Sequence, residues 1–281
     1  MEHGFEKLNC KTEEEYRAYP ALSYSDLVWL DKSPRHFLLR EKLQKETEAM
    51  RLGTLLHLGV LEPTRFKNAY CVEPENMPDG TEINKRSSKH REFLAEWRLN
   101  NADKIQVSPD QLDSLITMLT EIGKPENDVA QFFTGGMAEV MAKGVYDDVP
   151  LKGRCDYFIP NHPRFGRVVV DLKKTQDASF KGFSRSIWNY KYHLQAAVYR
   201  YLFRADTFIF VAVEEPQKGA SETFIGVYEA DVSVLGKGEE KLQYLTELYK
   251  GCKASNNWHG YTNGVEKILL PAWTVGNEES V

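Results

Sequence analysis

The sequence predicts an α/β fold in which a central mixed sheet of about five strands is flanked by helices. Residues before Gly136 follow helical periodicity, and the two-residue period of strands begins after it. The β-branched run Val168–Val170 is typical of a strand that is covered on both faces. Periodic helical segments then return towards the C-terminus. At 281 residues, the chain is long enough to bury such a core as one domain spanning residues 1–281.

Residues 1–135 are predicted to form a mainly helical N-terminal part. Ser33 followed by Pro34 is the signature of a helix N-cap with proline at the first helical position, and Ser108–Pro109 repeats it. Further helices are expected at residues 48–63, where Pro63 would end the helix, and at residues 88–99. The segment from Thr64 to Lys89 is rich in Pro, Asn, Asp and Gly and is predicted to be a loop.

Residues 136–231 are predicted to contain the central sheet, and residues 232–281 a C-terminal helix and tail. Strands are expected at Glu139–Tyr146, Leu151–Ile159, Arg167–Lys173, Thr207–Val213 and Glu222–Ala230. The first two strands would be joined by a turn at Asp147–Pro150. Aromatic-rich helices are expected between Phe180 and Phe203, and the last helix between Val232 and Tyr249.

Composition indicates a cytoplasmic protein without a membrane anchor. No apolar run approaches the roughly 18 residues that a spanning helix needs. The first residues are polar and acidic, unlike a secretory signal or an arginine-rich transit peptide. The four cysteines are scattered without a C-x-x-C pair, which argues against a zinc or iron–sulfur site.

Charge is distributed unevenly along the chain. The net charge is −5, but residues 151–204 hold eleven Lys or Arg and three acids, a local balance of +8. A basic segment in an acidic protein is what a DNA-binding cleft would require, because cations there displace condensed counterions. The alternative is a solvated basic face without a ligand, and charge alone does not decide between them.

Two carboxylates and a lysine are predicted to meet at the end of the sheet. Asp171 and Lys173 are two positions apart on one strand and therefore share a face. Asp156 precedes Asp171 at hairpin spacing, so pairing of the two strands would bring the carboxylates together. Carboxylates in this arrangement hold Mg²⁺ or Mn²⁺, and a neighbouring lysine can orient or deprotonate the attacking water. D-x-K alone also occurs in surface ion pairs.

These residues lie within a longer resemblance. Asp156, Asp171–Leu172–Lys173 and Gln195-Ala196-Ala197-Val198-Tyr199 resemble the PD-(D/E)XK pattern and the Q-x-x-x-Y motif of RecB-like nucleases. The chain is also similar to the exonuclease VIII (RecE-type) group in several ordered motifs: Leu22–Leu27, Ser33–Phe37, Arg51–His57, Val60–Pro63, Lys152–Asp156, Asp171–Thr175, Tyr190–Tyr199 and Leu269–Trp273. The proline of the pattern is absent before Asp156, where Cys155 stands.

The resemblance implies a role for each matching residue. His57, Asp156, Asp171 and the Leu172 carbonyl would be metal ligands, and Lys173 would be the catalytic lysine. Glu139 matches a glutamate near a second metal position. The expected supporting or DNA-contacting residues are Gln195, Tyr199, Lys174 and Arg154. Without the resemblance, a histidine among leucines is a core residue and the aromatic helix is simply buried.

The implied function is that of a Mg²⁺-dependent exodeoxyribonuclease, with Mn²⁺ as an alternative metal. It would degrade linear double-stranded DNA 5′→3′ from its ends and leave 3′ single strands for phage-type homologous recombination. Expected partners are a single-strand annealing protein and further copies of the chain in a trimeric or tetrameric ring. Two alternatives stay open: an endonuclease or single-strand-specific nuclease of the same fold, and a catalytically silent DNA-binding or assembly module. The chain contains no G-x-x-x-x-G-K-[ST] motif for an ATP motor.

Overall fold

The fold is built on a mixed six-stranded sheet, with a separate two-stranded parallel pair. The computed structural model describes residues 5–262 and 264–270, so Pro271–Trp273 of the C-terminal motif lie outside the described residues. The strands are β1 (Glu6–Lys7), β2 (Tyr70–Val72), β3 (Ile105–Val107), β4 (Met137–Tyr146), β5 (Val149–His162), β6 (Gly166–Thr175), β7 (Thr207–Glu214) and β8 (Ile225–Glu229).

Helices cover both faces of this sheet. Those of the described residues are α1 (Glu13–Ala18), α2 (Tyr24–Lys32), α3 (Pro34–Leu43), α4 (Glu48–Leu61), α5 (Pro63–Ala69), α6 (Ser88–Asn100), α7 (Pro109–Gly123), α8 (Phe180–Asn189), α9 (Tyr192–Phe203) and α10 (Val232–Ser255). Short 3₁₀ turns occur at Pro125–Asn127 and Ala130–Phe133. Among these described parts of the chain, no helix is both long and apolar enough to cross a membrane.

The predicted helix starts at serine are confirmed. Ser33 accepts a hydrogen bond from the His36 backbone N–H and is followed by Pro34. Ser108 forms a capping box with Gln111, in which each side chain satisfies the other residue's backbone N–H. These caps fix where α3 and α7 begin.

The predicted mixed sheet is confirmed, with six strands rather than about five. Strands β4, β5 and β6 are antiparallel neighbours, β6 and β7 are parallel, and β8 returns antiparallel to β7. The additional strand is β1, which pairs with β4 through only two residues. A two-residue strand is too short to produce a periodic signal in the sequence.

Two hydrophobic cores lie on opposite faces of the sheet. One contains Phe183 of α8, Leu194 of α9, Leu242 of α10 and Val169 of β6. The other packs α4 and α7 against the opposite face, with Val168, Val170 and Leu172 of β6. Strand β6 is thus covered on both sides, as its β-branched run predicted.

Two sequence predictions are wrong in detail. The segment Thr64–Lys89 was expected to be a loop, but it contains most of α5 and all of β2. Pro63 occupies the first position of α5, where its missing N–H costs nothing, so it starts a helix as well as ending α4. The turn after β4 consists of Asp147 and Asp148, both with positive φ, and Val149–Pro150 already belong to β5.

Candidate metal centre

The centre lies where β5 and β6 stop pairing. Their backbone ladder runs through Tyr157 opposite Val170 and ends there. At the next position the Asp156 carboxylate accepts a hydrogen bond of 2.7 Å from the Leu172 backbone N–H. The side chain therefore takes the place of a backbone partner and holds the two diverging strands together. This fixes Asp156 beside the segment Asp171–Lys173.

Glu139 enters the centre through a local distortion of β4. It has φ 53°, a left-handed conformation that is costly for a residue other than glycine. The β4–β5 register is the same on both sides, with Ala138 opposite Tyr157 and Val140 opposite Cys155. Yet Ala138 and Tyr157 pack in one core, whereas Val140 and Cys155 pack in the other. Residues two apart on a strand normally share a face. The side-chain faces of both strands are therefore reversed at Glu139 and Asp156.

Three candidate ligands converge at this reversal. His57, Glu139 and Asp156 each offer one ligand atom, and these atoms all lie within 4.8 Å of one another. His57 Nδ1 lies 3.5 Å from Asp156 Oδ1. The histidine comes from α4, whose Leu52, Leu55 and Leu56 are buried in the core and thereby orient the helix. The half-buried His57 is thus presented to the end of the sheet.

The electrostatics of this group favour a cation. The pKa of Glu139 is raised to about 7, chiefly by burial; the Arg154 guanidinium opposes this rise and the Asp156 carboxylate adds to it. A divalent cation among these groups would relieve the mutual repulsion of the carboxylates. Two carboxylates and an imidazole are also a donor set that Mg²⁺ and Mn²⁺ accept. The residues present therefore fit the metal that the sequence pattern implies.

Asp171 and Lys173 form a buried ion pair next to this group. Asp171 is fully buried, and Lys173 Nζ lies 2.5 Å from its Oδ2. The ammonium and the carboxylate thus form a direct, charge-assisted contact. Asp171 is not one of the three residues whose ligand atoms meet within 4.8 Å in the described chain. Because each carboxylate oxygen has more than one lone pair, Asp171 can nevertheless also accept a cation.

The charges of this pair are set by burial and by each other. Burial raises the pKa of Asp171, and the Lys173 ammonium opposes that rise. Burial also works to lower the pKa of Lys173, but the Asp171 and Asp156 carboxylates outweigh it and raise that pKa above its ordinary value. Without a metal, Lys173 is therefore an ammonium at neutral pH. This favours charge stabilisation and water orientation over deprotonation of water, the other role that the sequence left open for it.

Helix α9 supports the pair from the face of the sheet opposite to α4. Gln195 donates a 2.8 Å hydrogen bond from Nε2 to Asp171 Oδ1, while its own Oε1 is buried without a partner. Tyr199, one turn further on, is buried in the same core and packs against Phe203. A Cβ added at Gly153 of β5 would lie 2.9 Å from Leu202 and 3.0 Å from the Tyr199 ring, so α9 packs closely on β5 there. Gln195 thus contacts the centre directly, and Tyr199 packs beneath β5.

Arg154 and Lys174 are placed differently from one another. Arg154 Nε lies 3.0 Å from Glu139 Oε2, and its Nη1 lies 2.5 Å from Glu13 Oε2 of α1. Arg154 therefore belongs to the centre. Lys174 is nearly buried and pairs with Glu215 at 2.6 Å. Because that charge is neutralised inside the protein, the geometry gives no support to the expected contact of Lys174 with DNA.

The basic segment is largely neutralised by long-range pairing. Six of its eleven basic residues form ion pairs within 4 Å among the described residues: Arg154, Arg167, Lys173, Lys174, Lys191 and Arg200. Lys152 is buried and donates to three backbone carbonyls at the end of α1. The local balance of +8 along the sequence is therefore not the charge of one continuous surface. Paired acids from distant segments could not be foreseen from composition.

Sequence reasoning missed two aromatic neighbours of Lys173. The Tyr192 ring lies 4.8 Å from Lys173 Nζ, a cation–π distance. Tyr24 at the start of α2 is partly buried; burial raises its pKa, and the charges of Lys173 and Asp171 also act on it. Tyr24 lies in the N-terminal motif Leu22–Leu27, which was noted without a role for the tyrosine. Tyr192 was assigned to the core because aromatic residues on a helix are usually buried.

Comparison with known proteins identifies a family model for most of the chain. Residues 23–270 match the model of a PDDEXK-like domain of unknown function, DUF3799. A search of curated proteins finds no match. Among solved structures, an exonuclease candidate from Eubacterium rectale is similar over 96% of this chain and 100% of its own, with 13% identity and a TM-score of 0.49. A phage-related exonuclease from Haemophilus somnus 129PT is similar over 66% of this chain and 91% of its own, with 11% identity and a TM-score of 0.34.

Proposed function

The chain belongs to the PDDEXK-like family DUF3799, and on that premise we propose that it is a metal-dependent nuclease that hydrolyses DNA phosphodiester bonds. One observation carries the proposal: His57, Glu139 and Asp156 converge beside the buried Asp171–Lys173 pair at the point where β5 and β6 separate. A module that only bound DNA would have no need to bury an aspartate against a lysine beside three metal-binding side chains, because such burial is costly.

The proposed roles follow from these contacts. His57, Asp156 and Glu139 would hold a divalent cation, with Asp171 and the Leu172 carbonyl as the further ligands that the family pattern implies. When bound, the metal supplies Lewis-acid polarisation of the phosphate and a lower pKa for water. Lys173, held as an ammonium, stabilises negative charge that develops on the phosphate oxygens and orients the attacking water. Gln195 fixes the Asp171 carboxylate through its hydrogen bond, which keeps the pair in one geometry.

The proposed substrate is the end of a linear DNA duplex. We infer digestion of linear double-stranded DNA in the 5′→3′ direction, which would leave 3′ single strands for recombination. The support is the ordered series of motifs that resembles exonuclease VIII, from Leu22 to Tyr199. The same resemblance supports a ring of three or four copies, a single-strand annealing partner and Mg²⁺ as the metal. No ATP motor is required, because hydrolysis of each phosphodiester releases free energy.

Substrate topology tests this proposal. The purified chain is incubated with Mg²⁺ and one of three DNAs: a linear duplex labelled at one 5′ end, a covalently closed circle and a single strand. We expect early release of the 5′ label from the linear duplex and an intact circle, with no cleavage in EDTA or by Lys173→Met. Cleavage of the circle would show an endonuclease, and preference for the single strand a single-strand-specific nuclease. No cleavage of any DNA with Mg²⁺ or Mn²⁺ would refute the nuclease proposal and favour a silent module.

A further inference from the structure

The connection between α8 and α9 exposes two aromatic rings to solvent. Trp188 is 58% exposed and Tyr190 is 61% exposed. Each ring rests on a second ring beneath it. Trp188 stacks on buried His193 with centroids 5.4 Å apart and planes at 16°, and Tyr190 stacks on Tyr192 at 5.6 Å and 30°. The Tyr190 ring is therefore supported on one face and exposed on the other, whereas the Trp188 ring also has the Lys191 ammonium over it.

The backbone of this connection is held in a strained conformation. Lys191 has φ 62°, in the left-handed region that non-glycine residues rarely adopt. The Tyr24 hydroxyl donates a 2.6 Å hydrogen bond to the Tyr190 carbonyl, and the Tyr190 N–H donates to the Ser186 carbonyl at 2.9 Å. Strain of this kind persists where the surroundings enforce it, and it concentrates at functional positions. The two rings are thus fixed in place.

Tyr190 is linked to the candidate metal centre through Tyr192 and Tyr24. Tyr192, on which Tyr190 stacks, is the ring that lies 4.8 Å from Lys173 Nζ. Tyr24, which holds the Tyr190 carbonyl, is also close enough to Lys173 and Asp171 for their charges to act on it. A phosphate at Lys173 would therefore place the adjoining nucleotide in the neighbourhood of Tyr190.

The charges around the rings suit a nucleic-acid strand. Lys191 Nζ lies 5.4 Å from the Trp188 ring centroid, and Arg185 on α8 is exposed without an ion pair among the described residues. Asp31, at 3.8 Å from Lys191, offsets part of this charge. Cations interleaved with aromatic faces are the usual means of binding single-stranded nucleic acid, because every base has a face that can stack.

We infer that Tyr190 and Trp188 form a stacking platform for unpaired bases of the strand that is cut. The inference rests on the proposed nuclease function and specifies its substrate: a DNA strand whose bases next to the scissile phosphate are unpaired. In an intact duplex the faces of the bases are covered by their neighbours. A terminus would therefore have to fray, or a single strand be present, for the platform to be used.

Equilibrium binding of single-stranded DNA tests the platform directly. A fluorescent oligonucleotide is titrated with the full chain in EDTA, where cleavage does not occur, and anisotropy gives Kd. We expect Tyr190→Ala to weaken binding about 10-fold, since one base–aromatic stack contributes about 1–3 kcal/mol. Tyr190→Phe should bind within about twofold of wild type. Tyr261→Ala is the matched control, because Tyr261 is 72% exposed and contacts His36 of α3.

A series of strands with one abasic site at successive positions makes the test specific. At the stacked position we expect the abasic strand to bind wild type about 10-fold more weakly and the loss caused by Tyr190→Ala to disappear, since the two changes remove one contact. The inference is overturned if wild type does not bind the single strand or if Tyr190→Ala binds it like wild type. It is also overturned if Tyr190→Ala lowers the affinity by the same factor wherever the abasic site lies. If wild type cleaves duplex DNA and Tyr190→Ala is unchanged in both binding and cleavage, the platform is refuted but the proposed function is not. If Tyr190→Ala shows the position-specific loss of binding but wild type cleaves no DNA, the proposed function is refuted and the platform is not.

Discussion

Asp156 accepts its hydrogen bond from the Leu172 N–H at the position where the backbone ladder between β5 and β6 ends. One carboxylate thus has two tasks, since Oδ2 joins the strands and Oδ1 faces His57 at 3.5 Å. The local fold and the candidate metal site are therefore connected through a single side chain. Substitutions can separate the two tasks.

Asp156→Asn should retain the fold but lose the metal. The amide oxygen can still accept from the Leu172 N–H, whereas its neutral charge should lower Mn²⁺ affinity at least about 10-fold. Asp156→Ala should lose both, with a free energy of unfolding about 1 kcal/mol below that of Asp156→Asn. Calorimetric Mn²⁺ titration and denaturant unfolding measure the two effects. Equal stability of the two variants would show that the hydrogen bond does not hold the strands.

Metal binding should strengthen as pH rises towards neutrality. The pKa of Glu139 is raised to about 7 by burial. Because the folded state binds this proton more tightly than the unfolded chain, the contribution of Glu139 to stability without metal should fall as pH rises from about 4.5 to about 7. A metal must displace the same proton in order to bind. The rise in the Tm of the protein on adding Mn²⁺ should therefore be larger at about pH 8 than at about pH 6. Thermal unfolding with and without Mn²⁺ measures both trends, and a gain independent of pH would contradict the assignment of Glu139.

Arg154 should set the pH at which the centre accepts metal. Its guanidinium lies 3.0 Å from Glu139 and opposes the rise in that residue's pKa. Arg154→Met should therefore raise the pKa of Glu139 further and move the pH midpoint of Mn²⁺ binding upward. Arg167→Met is a suitable control, because Arg167 pairs with Asp206 instead. A midpoint that stays in place, or moves equally in the control, would show that Arg154 does not act on Glu139.

The Asp171–Lys173 pair should be more important for activity than for stability. Lys173→Met leaves a buried carboxylate without its partner and should cost about 3 kcal/mol of unfolding free energy, less if Asp171 takes up a proton. The double variant Asp171→Asn with Lys173→Met removes both charges and should recover most of that loss. Cleavage should stay at least about 100-fold below wild type in both variants. Recovery of cleavage together with stability would assign the pair a structural role only.

Much of this arrangement could be predicted from local sequence. The β-branched run before Asp171 identified β6, and alternation placed Asp171 and Lys173 on one face. Hairpin spacing then brought Asp156 to the neighbouring strand. These inferences succeeded in geometry because each depends on residues that are close in sequence.

Other features of the centre and the sheet could not be predicted, because they depend on contacts that hydrophobic periodicity does not reveal. The reversal of side-chain faces in β4 at Glu139 interrupts the alternation on which strand prediction relies. His57 and Glu139 were named only through the family resemblance, since a histidine on an apolar helix and a glutamate on a strand carry no local signal. Tyr24 lies close to the centre although it is far from Asp171 and Lys173 in the sequence. The short strands β1, β2 and β3 contain two or three residues each, too few to show a two-residue period.

Anomalous scattering from a crystal grown with Mn²⁺ tests the central claim most directly. We expect a Mn²⁺ peak with a nitrogen of His57 and carboxylate oxygens of Glu139 and Asp156 at about 2.0–2.6 Å, and Asp171 at the same ion or beside it. A Mn²⁺ peak out of reach of Asp156 and Asp171, or no peak at a Mn²⁺ concentration that supports DNA cleavage, would contradict the assignment of this centre.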